Sequence, residues 1–183
     1  MAYQYKSIYN PKTGQSIEFL LTTKDSKGKM LTMETCYDPH SLEPPAHYHP
    51  TQEEEFQVIS GELTVRLKGE VRVLKSGDSV YLYPGTVHAI WNASNKLCIA
   101  IWKVVPALNT EEFLETAMGL AAEGKTNKKG MPRLLQGALL INKYSNVFRL
   151  AKLPYSLQQI FFAILVPVAY LTGLKPFYKK YID

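Results

Sequence analysis

Three histidines and one glutamate stand at a spacing that suits metal coordination. His47 and His49 are two residues apart, and Glu54 follows five residues after His49. Residues two apart on a β-strand point to the same face, so both imidazoles would lie on one side of the chain. Two imidazoles and a carboxylate that converge form a facial ligand set for a divalent first-row metal and leave positions open. His88 is a fourth candidate ligand.

The elements that must position these residues read as short β-strands between residues 16 and 105. β-Branched and aromatic residues are enriched in several runs, and the breaks between them carry Gly or Asn. Strands that are short and regularly spaced favour closure into a barrel. The predicted strands are 16–23, 29–37, 55–60, 62–67, 71–74, 79–83, 87–91 and 97–105.

The pattern changes to helical spacing after Pro106. Apolar residues recur at that spacing up to Gly124, and Asn109 with Glu112 predicts a capping box at the start of a helix. Residues 124–132 are typical of a loop. Beyond them, Pro154 and Pro167 are expected to break the apolar runs into short helices.

Two segments closely resemble the two motifs of the cupin superfamily. The matching residues are His47, His49, Glu54 and Gly61 in the first motif, and Gly77, Gly85, His88 and Asn92 in the second. The 15 residues between the motifs are similar in length to those of compact, single-domain microbial cupins. Ser41 replaces the leading glycine of the first motif, and Tyr83 replaces the proline of the second. Neither position is a ligand position.

The resemblance implies a mainly β fold, the double-stranded β-helix or jelly-roll barrel, here followed by C-terminal α-helices. It divides the chain into a barrel domain, 1–108, and a helical extension, 109–183, that packs on the barrel or on a partner. It also implies one divalent transition-metal ion, held by His47, His49, Glu54 and His88 in the barrel mouth. The ligand set does not choose among iron, manganese, nickel, copper and zinc. Cupins often dimerise, so a homodimer is expected.

The pocket around the metal is expected to include aromatic side chains. If Lys103 faces solvent, Trp102 points inward on the same strand, and Phe56 shares the face of Glu54. Tyr81 and Tyr83 are further pocket candidates.

Other residues that could bind metal have simpler explanations. Glu53 and Glu55 flank Glu54, and alternation along the strand would turn both outward, although a slip of one residue would promote Glu53. Cys36 and Cys98 lie outside any ligand-spaced motif and are expected to fill the core.

Composition places the chain among globular proteins. Hydrophobic residues make up 46% of its 183 residues and charged residues 20%, which excludes collagen-like, low-complexity and disordered classes. Two distant cysteines provide no disulfide framework and no CxxC motif. The first residues carry no apolar run that would form a secretory signal, so a cytoplasmic location is expected.

The formal net charge of +5 is unevenly distributed. Residues 1–124 hold 11 basic and 15 acidic residues, whereas residues 125–183 hold 10 basic residues and one acidic residue. Within that basic part, residues 153–174 carry no charge, and lysines and tyrosines flank them. The tail is therefore expected to form packed helices, with interfacial membrane contact and membrane spanning as alternatives. Nothing in it resembles a nucleic-acid-binding motif, so no nucleic-acid partner is expected.

The sequence supports two classes of function. The first is a mononuclear metal-dependent enzyme, an oxygenase, isomerase or decarboxylase, that acts on a small organic molecule in the barrel. The second is a binding or sensing module that holds a small-molecule ligand without turnover, with the tail as its interaction surface. The spacing of residues assigns no catalytic acid or base.

Overall fold

The computed structural model describes residues 2–182, which form two antiparallel β-sheets and a set of helices. The strands are β1 (Ser7–Asn10), β2 (Gln15–Leu21), β3 (Leu31–Tyr37), β4 (His47–Tyr48), β5 (Glu53–Ser60), β6 (Glu62–Leu67), β7 (Glu70–Lys75), β8 (Ser79–Leu82), β9 (His88–Trp91), β10 (Cys98–Val105) and β11 (Arg149–Leu150). The helices are α1 (Thr110–Ala122), α2 (Leu134–Lys143), α3 (Tyr155–Leu171) and α4 (Lys179–Ile182).

The two sheets have the strand orders β1-β2-β3-β10-β5-β8 and β11-β4-β9-β6-β7. Strands far apart in sequence lie side by side, as where β10 pairs with both β3 and β5. This is the jelly-roll arrangement of two facing antiparallel sheets, and it confirms the expected fold class.

The core lies between the sheets because side chains alternate along each strand. On β3 and β10 the buried positions are Leu31, Met33, Thr35, Tyr37, Cys98, Ala100, Trp102 and Val104. Leu63 and Val65 of β6 and Ile90 of β9 join the same hydrophobic cluster from the opposite sheet. Cys98 is therefore a core residue, as expected, whereas Cys36 is half-buried because it lies at an alternate position of β3; both are free thiols.

Two positions of the motif loops have structural roles. Gly61 adopts a φ of +79° between β5 and β6, and a Cβ there would lie 2.3 Å from the carbonyl oxygen of Leu97. Only glycine satisfies both conditions. Ser41 is buried, and its hydroxyl oxygen accepts a hydrogen bond of 2.8 Å from the backbone N–H of Asn92. The serine therefore connects the two motif segments.

Some element boundaries differ from the prediction. The strands β1, β4 and β11 have only two to four residues, too few for a periodic signal. The helix α1 begins at the expected place, but the predicted capping box is wrong, because Asn109 makes no side-chain capping bond. Its side-chain oxygen instead accepts a hydrogen bond from the amide of Asn146 at 2.8 Å.

The chain after β10 packs back on the barrel. The short strand β11 pairs with β4, and α1 packs against β1 with an ion pair of 2.6 Å between Lys6 and Glu115. Glu123 at the end of α1 accepts hydrogen bonds from Lys125 and then Lys180, which lower its pKa to about 2. These contacts join α4 to α1. The division into domains at residue 108 stays a prediction.

The helix α3 corrects the expectation for the charge-free segment. Pro154 precedes the helix as expected, but Pro167 lies inside it and the helix continues to Leu171. The proline has no N–H to bond the carbonyl oxygen of Ala163, and the helix continues past it without that one bond. In the described part of the chain, no helix has the length and apolar character that a bilayer crossing requires.

Candidate metal centre

The four candidate ligands come from both sheets and meet in the barrel interior. His47 on β4 lies directly opposite His88 on β9 in the second sheet. Glu54 is the second residue of β5 in the first sheet, opposite Leu82 and Val104. The fold therefore brings together three separate segments of the chain.

His49 follows β4 and completes the group. Its carbonyl oxygen accepts a 2.8 Å hydrogen bond from the N–H of Gly85, a residue of the second motif. The loop before His88 is thereby joined to the segment that carries His47 and His49. His49, His88 and Glu54 are buried, and His47 is half-buried.

The imidazole rings are in mutual contact. Ring centroids are 4.4 Å apart between His47 and His88, and 5.2 Å apart both between His47 and His49 and between His49 and His88. One ring nitrogen from each histidine lies within 4.8 Å of the others. Glu54 Oε2 lies 3.0 Å from His49 Nε2 and 3.2 Å from His88 Nε2.

Backbone carbonyl groups set the orientation of all three rings. The Nδ1–H of His47 donates to the carbonyl oxygen of Pro45 at 2.9 Å, and that of His88 donates to Thr86 at 2.9 Å. His49 Nδ1 makes the same bond with the carbonyl oxygen of Val147. A carbonyl oxygen only accepts, so Nδ1 carries the proton in each ring. In the neutral imidazoles the lone pair is then on Nε2, the atom that a metal would bind.

The protonation states favour a bound cation. Burial lowers the pKa of His47 well below its usual value, and the neighbouring rings of His88 and His49 lower it further, so His47 is neutral. Burial alone would raise the pKa of Glu54, but the charge of His49 and contacts with both histidines hold it well below its usual value. Glu54 is therefore an anion among three imidazoles.

Glu54 favours the cationic form of His49. Burial alone would lower the pKa of His49, but the charge of Glu54 outweighs this effect and raises it. A metal ion would replace that proton as the positive charge opposite Glu54.

Glu54 is held by a tryptophan through its second oxygen. The indole N–H of Trp102 donates to Glu54 Oε1 at 2.9 Å, and the Trp102 ring stacks on Phe56 with centroids 5.1 Å apart. This bond leaves Oε2 directed at His49 and His88. Glu53 is exposed, and Glu55 accepts hydrogen bonds from Tyr81 and Lys103. The one-residue slip that would have made Glu53 the candidate ligand is therefore excluded.

The donor atoms fit a metal ion. His49 Nε2 and Glu54 Oε2 are buried and form no hydrogen bond, although they lie 3.0 Å apart as an ion pair. Two donors that bind one metal at about 2.1 Å and at right angles are about 3.0 Å apart. The observed separations of 3.0 and 3.2 Å match that value. Unpartnered buried donors at this spacing suit coordination, although the ligand role stays a prediction.

A cavity of about 190 Å³ opens from the four side chains. Most of its wall is apolar or aromatic and comes from Phe56, Ile90, Trp102, Phe113, Leu114, Ala117, Met118, Met131, Val147 and Phe148. Its other polar groups include Gln15, Thr13 and Tyr37, with the Gln15 amide donating to the Tyr37 hydroxyl at 3.2 Å. The Thr13 hydroxyl is buried without a hydrogen-bond partner. A molecule with an apolar body and a polar group matches this lining.

The structure separates the four pocket candidates. Phe56 and Trp102 line the cavity. Tyr81 and Tyr83 are 62% and 69% exposed and lie outside it, so their expected place in the pocket is corrected. The reason is the alternation on β8, which turns Tyr81 to solvent, where its hydroxyl donates to Glu55 at 2.8 Å.

The extension contributes residues that sequence reasoning missed. Phe148 stacks on His47 with ring centroids 4.7 Å apart, and on Phe113 with centroids 5.0 Å apart. Val147 provides the carbonyl group that orients His49. Val147 and Phe148 lie about a hundred positions after His47 and His49, and no local pattern distinguishes them from other apolar residues.

Comparison with known proteins supports the fold. The family model of the cupin domain matches residues 33–104. An oxidoreductase of Arthrobotrys oligospora is 32% identical over 100 residues, which cover 48% of this chain and 40% of that protein, so less than half of the relative is shared. An uncharacterised protein of Methanocaldococcus jannaschii is 31% identical over 87 residues, 48% of this chain and 70% of the relative.

Solved structures show the same barrel. A Thermotoga maritima protein, described as a predicted oxalate decarboxylase, superposes with a TM-score of 0.50 and 21% identity. The similarity covers 56% of this chain and 92% of that protein. At this identity the similarity concerns the fold alone.

Proposed function

This chain belongs to the cupin superfamily, and we propose that it is a metal-dependent enzyme that converts a small organic molecule in the barrel. The ligands would be His47, His49, Glu54 and His88. The observation that carries the proposal is the set of three Nδ1–H bonds to backbone carbonyl groups, which leaves Nε2 as the donor atom of each ring. A histidine cluster with only a packing role does not need this shared orientation.

A bound ion would supply Lewis acidity or a site for oxygen. The chain itself would orient the ligands, exclude water and hold the substrate. Phe148 and Phe113 form an apolar wall next to His47, and Trp102 holds Glu54. Burial raises the pKa of Tyr37, so this cavity-lining hydroxyl keeps its proton and can donate a hydrogen bond.

The substrate would be a small molecule with an apolar body and a polar group that reaches Tyr37 or Thr13. The cavity volume of about 190 Å³ limits its size. Oxygenase, isomerase and decarboxylase chemistry all agree with this site. The name of the Arthrobotrys relative, an oxidoreductase, supports testing oxidation first.

Elemental analysis of the purified chain tests the metal site. We expect one transition-metal ion per chain, and a large loss of metal in His49→Ala and in His88→Ala. His40→Ala is the matched control, since His40 is exposed in a loop outside the site. Circular dichroism checks that each variant folds. Unchanged metal content in folded His49→Ala and His88→Ala would refute the ligand assignment.

Turnover is tested separately on the metal-loaded chain. We expect oxygen uptake, or loss of a small carbonyl or carboxylate compound, that the His88→Ala variant lacks. A metal-loaded chain that binds such compounds without converting them would support the alternative, a binding module. One observation favours that alternative, because it leaves few side chains for acid–base catalysis. Apart from the candidate ligands, Tyr37 and Lys129 are the titratable side chains among the described residues that line the cavity.

A further inference from the structure

The helix α3 exposes an apolar face along its whole length. The exposed apolar side chains recur at helical spacing and are Leu157, Ile160, Phe161, Ile164, Val168 and Leu171, with exposed fractions from 44% to 88%. Side chains at this spacing share one side of a helix. An exposed face of this size on a folded chain indicates a surface that meets another apolar phase.

The opposite side of α3 is attached to the rest of the extension. Phe162 is buried in a cluster with Ala138 and Ile141 of α2. The Gln158 amide donates hydrogen bonds to the carbonyl oxygens of Leu150 and Leu153 at 2.8 and 2.7 Å. The helix is thus held in place by one stripe of residues, and its apolar face is presented outward.

Basic residues stand at both ends of this face. Lys152 precedes α3, and Lys175 and Lys179 follow it, all three exposed. Residues 125–182 hold 10 lysines and arginines and no aspartate or glutamate. The face therefore has positive charge at its borders and no charge at its centre. This pattern is complementary to a bilayer whose headgroups are anionic and whose interior is apolar.

A second copy of the chain fits the face less well. In a twofold dimer formed through α3, the basic ends of one helix would meet the basic ends of the other. The extension offers no acidic side chain among residues 125–182 to offset that repulsion. Charge complementarity thus distinguishes between the two occupants.

We propose that α3 lies in the interface of an anionic membrane and attaches the barrel to its surface. The apolar face would enter the boundary between headgroups and acyl chains, with Lys152 and Lys175 at the headgroup level. Tyr170, which is exposed near the end of α3, would lie at the same level. We expect α3 to lie on the bilayer rather than across it, because no described helix has the length and apolar character that a crossing requires. This proposal does not depend on the function proposed for the barrel.

Vesicle flotation with the full chain tests the proposal. We expect the chain to float with vesicles of phosphatidylcholine and phosphatidylserine at least about 10-fold better than with phosphatidylcholine alone, and high salt to reduce this difference. Ile164→Glu should abolish flotation. Val73→Glu is the matched control on β7, where the side chain is 51% exposed on the barrel, and it should float like the unchanged chain.

The outcomes separate the two occupants of the face. Failure of the unchanged chain to bind anionic vesicles overturns the proposal, as does flotation that Ile164→Glu does not reduce. A dimer in analytical ultracentrifugation that Ile164→Glu dissociates, without vesicle binding, identifies a second copy as the occupant. Thermal unfolding confirms that each variant folds, and Phe161→Gln replaces Ile164→Glu if the latter does not.

Discussion

Replacing Trp102 by phenylalanine tests whether Glu54 is held in place as a metal ligand. The substitution keeps an aromatic ring against Phe56 but removes the indole N–H that donates to Glu54 Oε1 at 2.9 Å. Without this donor, Oε1 of a buried carboxylate has lost its partner. Keeping Glu54 in the ligand orientation would then cost energy in the metal-bound chain.

The expected loss follows from the chemistry of the bond. A hydrogen bond from a neutral donor to a charged, buried acceptor contributes about 1.5–3 kcal/mol. Since 1.4 kcal/mol corresponds to about a factor of ten in an equilibrium constant, its full loss weakens metal binding about 10- to 100-fold. Changes in groups that orient metal ligands have effects of about this size.

The chain contains a matched control for this experiment. It has two tryptophans, and the second, Trp91, is buried to a similar extent on β9. The Trp91 ring lies 5.6 Å from the guanidinium group of Arg66, and Glu54 is not its partner. Trp91→Phe therefore makes the same chemical change away from the carboxylate, and metal affinity should stay within about a factor of two.

Metal affinity is measured by competition with a chelator of known affinity, and thermal unfolding of the metal-free variants reports their stability. We expect Trp102→Phe to lose metal affinity and Trp91→Phe to keep it, at comparable stability. An unchanged metal affinity in both folded variants would refute the role assigned to Trp102. An equal loss in both would show that the effect arises from general loosening of the barrel.

Three further predictions concern the extension and the motif loops. Phe148→Ala should weaken binding of a cavity ligand in calorimetry without lowering metal content, since Phe148 supplies no donor atom. Phe161→Ala, on the exposed face of α3, is the control and should change neither ligand binding nor metal content. The pKa of Glu123 is about 2, below its usual value, so its contribution to stability is present above about pH 4.5 and is lost as the pH falls toward 2. In thermal unfolding, Glu123→Gln should thus be less stable than the unchanged chain at pH 6 but not at pH 2, and an equal difference at both would contradict the ion-pair explanation. Gly61→Ala should destabilise by more than about 2 kcal/mol, because a Cβ would meet a backbone carbonyl at 2.3 Å. Gly77→Ala, also at positive φ but with open space around it, should lose only about 1 kcal/mol, and equal losses in urea unfolding would contradict the steric argument.

Local patterns predicted the residues that the barrel brings together. Alternation along a strand places Glu53 and Glu54 on opposite faces, and the motif spacing favoured Glu54 as the inward residue, which the structure shows. The two motif segments placed His47 and His88 in one site, and the structure pairs them directly across β4 and β9. Short elements such as β4 escaped prediction because two residues carry no period.

Side-chain direction near a strand end was harder to predict. Tyr81 and Tyr83 follow the same alternation as the residues around them, but which of the two faces points inward depends on how β8 pairs with β5. In α3, Pro167 was expected to break the helix, yet the helix continues to Leu171, because a proline removes one backbone hydrogen bond and the neighbouring residues keep theirs.

The sequence by itself determined the barrel, the candidate ligand set and the separation of charge between barrel and extension, because each is expressed in local spacing or composition. The tertiary structure alone decided that the extension completes the site. The bond from His49 to Val147 joins residues 98 positions apart, and Phe148 reaches His47 from the same turn. Such contacts depend on how β11 docks beside β4, and packing between distant elements leaves no period in the sequence. The apolar face of α3 was evident as a charge-free segment, but only the packing of its other side showed which residues stay exposed.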